Sequence, residues 1–522
     1  MALDTVPATN GARSTMERPD AIVIGSGLGG LAAAAALAKS GKRPLVLEHH
    51  FLPGGNTQTF RRRKMFDFDV GLHVIGGCEA GGAFPSMLEQ LGVEGVEFVP
   101  MDPDGFETVM TPDLTFGVPA GWDRYEERLR EAFPGERAAI SRYIEYVRFV
   151  VAAVGGAGGE PPAVQRLLDK PWGELTLGDL FDTLEFSVRL RHVLAAQSGA
   201  YGAPPSRASL GEHAMVLDHY LHSGGYYVRR GSRAIIDGLL RVIQGGGGEV
   251  RLRSRVERIL IEDGRAAGVR LAKGEEFRAP LVISNADAKR TLLEMVGEER
   301  LSPALAQRMK EFRMALPMFI IYMAMRVPPE ELGLPNSTIC LIPGYTQEED
   351  YEACYAGRVP DKPFVIISIA SLKDSESENI APQGYTNLQL MTVAPAQLTS
   401  WGAERSPAEG GRYRHTASYE VTKALLRERI HASVEELMPG FIRNVVWEEC
   451  ATPLTQERFT RSTGGTGYGF EHTPDQFLSK RLSFQTEVPG LYLCGQNTII
   501  GHGILPAVVS GVSAAQAALA AG

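Results

Sequence analysis

Two short segments at opposite ends of the chain constrain the fold more than anything between them. The first is Ala21-Ile22-Val23-Ile24-Gly25-Ser26-Gly27-Leu28-Gly29-Gly30, with Glu48 closing the next apolar run. The second is Gly490-Leu491-Tyr492-Leu493-Cys494-Gly495-Gln496, followed by Gly501-His502-Gly503-Ile504 and a run of small residues. The first alone indicates a dinucleotide. The second brings a late strand and helix back toward the first strand, which points to a flavin, because a nicotinamide enzyme has no need of that return.

Residues 21–25 are fully apolar, as a strand covered on both faces of a parallel sheet must be. Residues 28–40 read as a helix stopped by Gly41, and 44–48 as a second strand, which completes a βαβ unit. In Gly25-x-Gly27-x-x-Gly30 one glycine turns the chain sharply, one lets the backbone approach a pyrophosphate, and one lets helix and sheet pack closely. The helix then aims free N–H groups and its positive end at the phosphates. Glu48 ends the second strand, where a carboxylate takes ribose hydroxyls and disfavours a 2′-phosphate, hence NADP.

The chain has 522 residues. A single core stops growing at roughly 250–300 residues, so at least two domains are expected. The net charge of −9 argues against a nucleic-acid partner. Cys78, Cys340, Cys354, Cys450 and Cys494 are odd in number and form no CxxC pair, so neither a disulfide framework nor a metal is expected, and a cytoplasmic setting fits. Residues 1–16 are polar and read as a disordered tail without the apolar core of a signal peptide. Nucleotide-domain pieces are expected at 17–110, 224–295 and 440–522. A substrate lobe is expected at 111–223 and 296–439, with a helical insertion over 124–151, 162–169 and 175–198. Val256–Glu262 and 267–271 around Asp263-Gly264 read as a hairpin. Apolar strands are expected at 316–325, 363–370 and 386–393.

Further motifs extend the pattern: Pro53-Gly54-Gly55-Asn56-Thr57, Phe68-Asp69-Val70-Gly71-Leu72-His73, Tyr226-Tyr227-Val228-Arg229-Arg230-Gly231-Ser232, and Ser284-Asn285-Ala286-Asp287. On these the chain resembles the FAD-dependent amine-oxidase-like superfamily, within it the phytoene desaturase, carotenoid isomerase and retinol saturase group. The GLHVIG form is more similar to the retinol saturase branch. The resemblance implies an α/β fold with a split Rossmann-like FAD-binding domain, plus a mixed α+β substrate domain. It implies that Gly25, Ser26, Gly27 and Gly30 hold the pyrophosphate, with Glu48 at the adenosine ribose and Val256 at the adenine, and that Gly29 and His49 also belong to the cofactor-binding set. Gly54, Gly55, Asn56 and Thr57 would run along the pyrophosphate and flavin side, and Gly495 and Gln496 would face the pyrophosphate and ribityl chain. Gly503 and Ile504 would open a helix onto the flavin C2 carbonyl, where its N–H groups suit the negative charge of a reduced flavin. Leu505-Pro506 departs from the order usual in the group.

Hydride chemistry on carbon also moves a proton, so a titratable side chain near the flavin is sought. His73 is the first candidate, because the FDVGLH strand would pass beside the ring; His502, just before the flavin-facing helix, is the second. Each also reads as a core histidine bonded to backbone. Asp69 reads as a clamp on backbone N–H groups. Arg61-Arg62-Arg63-Lys64 reads first as a solvated hairpin tip and second as a contact with anionic lipid headgroups. Gly464-Gly465-Thr466-Gly467-Tyr468-Gly469 reads as a turn beside the site, not a P-loop.

The expected activity is hydride transfer between flavin and a carbon–carbon bond of a lipophilic polyene or isoprenoid. Saturation, desaturation and flavin-assisted cis–trans isomerisation all fit. Rivals are an amine oxidase, disfavoured because 495–506 contains no aromatic residue, a non-catalytic FAD- or lipid-binding protein, and a nicotinamide dehydrogenase.

Overall fold

The structure is a computed structural model that describes Thr9–Asn10, Met16 and residues 18–521. A six-stranded sheet runs, edge to edge, through Thr9–Asn10, Glu249–Leu252, Pro44–Leu47, Ala21–Ile24, Val282–Ser284 and Leu491–Leu493. Every pairing is parallel. Thr9–Asn10 fall inside the tail expected to be unstructured; the rest of 1–15 lies outside the described residues. The C-terminal strand does not touch the first strand. Val282–Ser284 stands between them, with Val282 opposite both Ile22 and Leu491.

The two end segments meet instead through their helices. Leu28–Lys39 buries ten of its twelve residues, because the sheet lies on one side and Ile504–Ala520 and Arg233–Gly245 pack on the others. A Cβ on Gly511 would come within 2.1 Å of the Gly29 carbonyl oxygen and 2.9 Å of the Ala33 nitrogen, so only glycine permits this approach. The small-residue composition of the last helix is thus a packing requirement.

A second sheet of seven strands orders Val445–Ala451, Met318–Met325, Thr386–Val393, Val365–Ser368, Thr338–Leu341, Glu107–Thr111 and Leu114–Val118. Its pairings are antiparallel except Thr338–Leu341 with Glu107–Thr111. This moves two assignments: Glu107–Thr111 and Val445–Ala451, expected in nucleotide-domain pieces, are strands of the second sheet. Short apolar runs carry no label for the sheet they join.

The helical insertion forms Trp122–Ala132, Arg137–Val154, Leu177–Thr183, Val188–Leu194 and Leu210–Ser223. The long helix expected over 124–151 breaks at Phe133-Pro134, where proline removes an N–H and clashes with the preceding turn. Residues 162–169 form only a short 3₁₀ segment, Ala163–Leu167. Leu129, Tyr143, Val147 and Leu217 share one core with Val109 and Cys340, so the helices pack against the second sheet. Val256–Glu262 pairs with Arg265–Leu271 as the expected hairpin, and Asp263 and Gly264 both adopt the positive φ that a type I′ turn requires. No described helix is long and apolar enough to cross a membrane.

Candidate functional site

A cavity of about 890 Å³ opens where the two sheets and the inserted helices meet. Gly25, Gly27 and Gly29 of the first turn line it, as do Glu48 and His49 after the second strand. Gly55, Asn56, Thr57 and Val256 form a further stretch of wall. Gly495, Gln496, Gly503 and Ile504 close it from the C-terminal side. Ser26, Gly30 and Gly54 stand behind the wall. Ser26 is fully buried, its side chain turned to Glu48. A Cβ on Gly30 would meet the Gly25 carbonyl oxygen at 2.1 Å. Gly54, at φ 114°, donates its N–H to the Ser26 carbonyl at 3.0 Å.

Asn285 is the residue whose role sequence reasoning missed, although its strand end was quoted. A Cβ on Gly27, Gly29 or Gly495 would come within 2.5–2.6 Å of its side-chain amide. Three glycines from both ends of the chain therefore keep space around one asparagine, and the Gly495 N–H is itself held by Ser510 Oγ at 2.7 Å. The N-termini of Leu28–Lys39 and Ile504–Ala520 both face the cavity, so two positive helix ends address it. Pro506 sits in the first turn of the last helix, where its missing N–H leaves no intrahelical bond unmade. These features fit a dinucleotide with an anionic centre at each helix end.

Asn56 links three segments: its amide nitrogen donates to the Gly467 carbonyl at 3.4 Å and the Gln496 side-chain oxygen at 3.5 Å, and its oxygen accepts from Gln456. Gly467 and Tyr468 line the cavity, as the glycine-rich run was expected to do. His49 bonds the Phe459 carbonyl at 2.8 Å, and burial lowers its pKa. Buried Arg481 donates to the carbonyls of Gln496 at 2.6 Å and Thr498 at 3.0 Å, fixing the loop before the last helix; burial lowers it to about 10.

His73 lines the cavity, but not from a strand. The strand Phe66–Asp69 ends at Asp69, and His73 follows in a bend. Its Nδ1 is buried without a partner, and burial, then Lys373, lowers it to about 3. Lys373 was not anticipated. Its Nζ donates to the His73 carbonyl at 2.6 Å, Ser368 Oγ at 2.9 Å and Thr338 Oγ1 at 3.0 Å, and burial lowers it to about 7. Asp69 clamps mainly hydroxyls, those of Thr59, Ser232 and Tyr227, and only one backbone N–H, that of Ser232.

His502 lines the cavity beside Glu212 and His472. Its Nε2 lies 2.6 Å from the Ala200 carbonyl, which only accepts, so Nε2 carries the proton and Nδ1 faces Glu212 Oε1 at 3.7 Å. His472 Nδ1 lies 3.3 Å from the other Glu212 oxygen, and the two imidazoles meet edge to face at 4.4 Å. Burial pushes Glu212 up, but His472, His502 and Arg481 together outweigh it and hold it at about 2. Burial, then His472, lowers His502 to about 4. Where no metal was expected, Glu212, His472 and His502 bring ligand-type atoms within 4.8 Å of one another. The Arg481 guanidinium close to the same carboxylate makes this a poorer home for a cation than for a proton. Tyr468 packs edge to face on His502 at 5.3 Å, an aromatic that the sequence argument against an amine oxidase had not placed.

Beyond these groups the cavity becomes apolar, walled by Phe106, Met215, Val216, Tyr220, Met318 and Ile366. Of the basic run, Arg61 pairs with Asp67 at 2.6 Å and Arg62 with Glu449 at 2.6 Å. Arg63 and Lys64 form the exposed tip at positive φ.

Residues 28–519 match the family described as flavin containing amine oxidoreductase. The all-trans-retinol 13,14-reductase of Rattus norvegicus is 32% identical over 514 residues, covering 92% of this chain and 82% of the relative. The chloroplastic prolycopene isomerase of Daucus carota is 28% identical, covering 95% and 79%. An oxidoreductase from Methanosarcina mazei shares the fold with a TM-score of 0.66 at 17% identity, covering 95% of this chain and 99% of that one. The chain belongs to the flavin-containing amine oxidoreductase family, and it is a flavin-dependent oxidoreductase.

Proposed function

We propose that the protein binds FAD and adds hydrogen across a carbon–carbon double bond of a lipophilic polyene. The observation that carries this reading is one cavity that joins both nucleotide-binding ends of the chain to an apolar sleeve, with Glu212 and His502 on its wall and buried His472 clustered with them. FAD in particular is supported by the two helix N-termini, one suited to a pyrophosphate and one to the flavin C2 carbonyl.

A bound flavin supplies a hydride to carbon, or takes one from it. The chain supplies position, dryness and the proton. Leu28–Lys39 and Ile504–Ala520 hold the two anionic ends. Phe106, Tyr220 and Met215 orient the substrate and exclude water. Burial keeps the His502 ring neutral, and with its Nε2 proton committed to Ala200 the free Nδ1 is the nitrogen that takes up and passes on the exchangeable proton. Glu212 stays ionised and steadies a proton arriving on His502. His73 is the weaker candidate, since no carboxylate lies against its ring to favour the imidazolium. Cis–trans isomerisation is the second reading, supported by the prolycopene isomerase relative. Anaerobic incubation of reduced enzyme with retinoid and carotenoid panels tests the reading: a gain of two hydrogens supports reduction, and altered retention at unchanged mass supports isomerisation.

Peripheral contact with anionic lipid, from a cytoplasmic setting, rests on Arg63, Lys64 and the exposed Met65 beside them. Flotation with anionic vesicles tests it: loss of binding in the Arg63→Glu/Lys64→Glu pair supports the contact, and retention opposes it.

A further inference from the structure

One polar pair in the cavity wall is used neither by the nucleotide cradle nor by the histidine cluster. Glu107 opens the strand Glu107–Thr111, and Gln197 lies in the turn between helices Val188–Leu194 and Ser198–Tyr201. Both line the cavity. Gln197 is only 7% exposed, yet neither its amide nitrogen nor its oxygen has a hydrogen-bond partner. The amide stands beside the Glu107 carboxyl without closing a bond in this geometry. The walls next to the pair are apolar, with Phe106 and Tyr220 stacked at 5.9 Å and Val216 and Ile366 alongside.

A carboxyl without a cation and an amide without a partner are costly in such surroundings, and they persist where a ligand meets them. We propose that Glu107 and Gln197 hold the terminal hydroxyl of the polyene substrate, so that the site selects alcohol-ended chains over hydrocarbons. The proposal rests on reading the cavity as a polyene site. A hydroxyl offers one donor and two acceptor lone pairs. Gln197 Nε2 donates to its oxygen, and a Glu107 carboxyl oxygen accepts its proton. A hydrocarbon end leaves both groups unpaired. A carboxylate end faces Glu107 with like charge. An ammonium has no lone pair for the Gln197 amide. Burial raises Glu107 to about 7, which supports a carboxyl that shares protons rather than one that waits for a cation. Gln197 is also tied to the histidine cluster: its carbonyl accepts from the Ala200 N–H at 2.8 Å, and the Ala200 carbonyl meets His502.

The test uses flavin-loaded protein and three polyenes of equal length, an alcohol, its deoxy hydrocarbon and its amine, with dissociation constants from quenching of tryptophan fluorescence. The wild type is expected to bind the alcohol about tenfold tighter than the hydrocarbon, the worth of leaving one buried polar group unpaired. Gln197→Leu is expected to reduce that ratio to about twofold, chiefly by tightening hydrocarbon binding, because no amide is then left unpaired. Glu107→Gln, whose amide oxygen still accepts, is expected to keep the preference. Flavin content and melting temperature show that each variant is folded. Equal binding of alcohol and hydrocarbon, preference for the amine, or an undiminished ratio in Gln197→Leu overturns the proposal. Alcohol preference without any change of the bound polyene would defeat the double-bond reading and leave this one standing. Turnover without preference would do the reverse, and failure of all three probes to bind would defeat both.

Discussion

Ser26 donates twice to one oxygen of Glu48, through its backbone N–H at 2.8 Å and its hydroxyl at 2.7 Å. The other carboxylate oxygen accepts the His50 N–H at 2.7 Å. A carboxylate has about four acceptor sites, so roughly one remains for a ribose hydroxyl. Glu48 therefore shapes the glycine turn as much as it reads the nucleotide. Glu48→Ala is expected to weaken FAD binding at least tenfold, because it orphans buried donors as well as losing the ribose contact. Ser26→Ala removes one neutral-to-charged bond and is expected to cost about tenfold or less. Titration of deflavinated protein with FAD, read by quenching of flavin fluorescence, measures both.

Gly30→Ala tests the close packing of turn and helix. Its Cβ would lie 2.1 Å from the Gly25 carbonyl oxygen, a backbone atom that cannot swing away. The variant is expected to purify with flavin absorbance near ~450 nm largely lost and with a lowered melting temperature. Gly41→Ala is the control, since no atom lies within 4 Å of a Cβ there. Unlike Gly30 it has positive φ, so some stability falls but flavin content does not.

Glu212→Gln keeps the shape of the histidine cluster and removes its charge. Turnover is expected to fall about 10²-fold or more, with flavin content unchanged, as for loss of a proton-handling group. His502→Asn is expected to fall comparably, whereas His73→Ala is expected to lose less. Metal analysis of purified protein is expected to find less than stoichiometric divalent cation. Stoichiometric metal that disappears in Glu212→Gln would reassign the cluster.

Glu107 gives a pH dependence with a definite sign. Its folded pKa is raised to about 7 from 4.5, chiefly by burial, so the native state holds the proton more tightly than the unfolded chain. Its contribution is complete below about pH 4.5 and is lost as pH rises through about 7. Glu107→Gln cannot ionise. Relative to wild type, its melting temperature is expected to rise by about 2–4 °C between pH 5 and pH 8. A constant difference over that range would contradict the burial argument.

What was legible in the sequence was local. The first strand, its glycine turn and Glu48 lie within one βαβ unit, where spacing and residue type determine geometry. Thr386–Val393 matched its apolar run, and Asp263-Gly264 announced its own turn chemistry. Glu212 and His472 lie 260 residues apart and meet only because helix Leu210–Ser223 packs beside the loop before the C-terminal strand. On its own helix Glu212 reads as an ordinary acid in a first turn. Glu107 reads as the solvent face of a short strand, and Gln197 as a polar residue near a helix end. Asn285 was visible as a motif, but three glycines facing it from both ends of the chain is a three-dimensional fact.

The central claim, hydride transfer to a polyene double bond, is tested most directly by mixing photoreduced enzyme with a polyene alcohol without oxygen. Flavin absorbance near ~450 nm and product mass are followed together. The account predicts that the absorbance returns in proportion to a product two hydrogens heavier than the substrate. A flavin that stays reduced while every polyene offered is recovered at its original mass would contradict it.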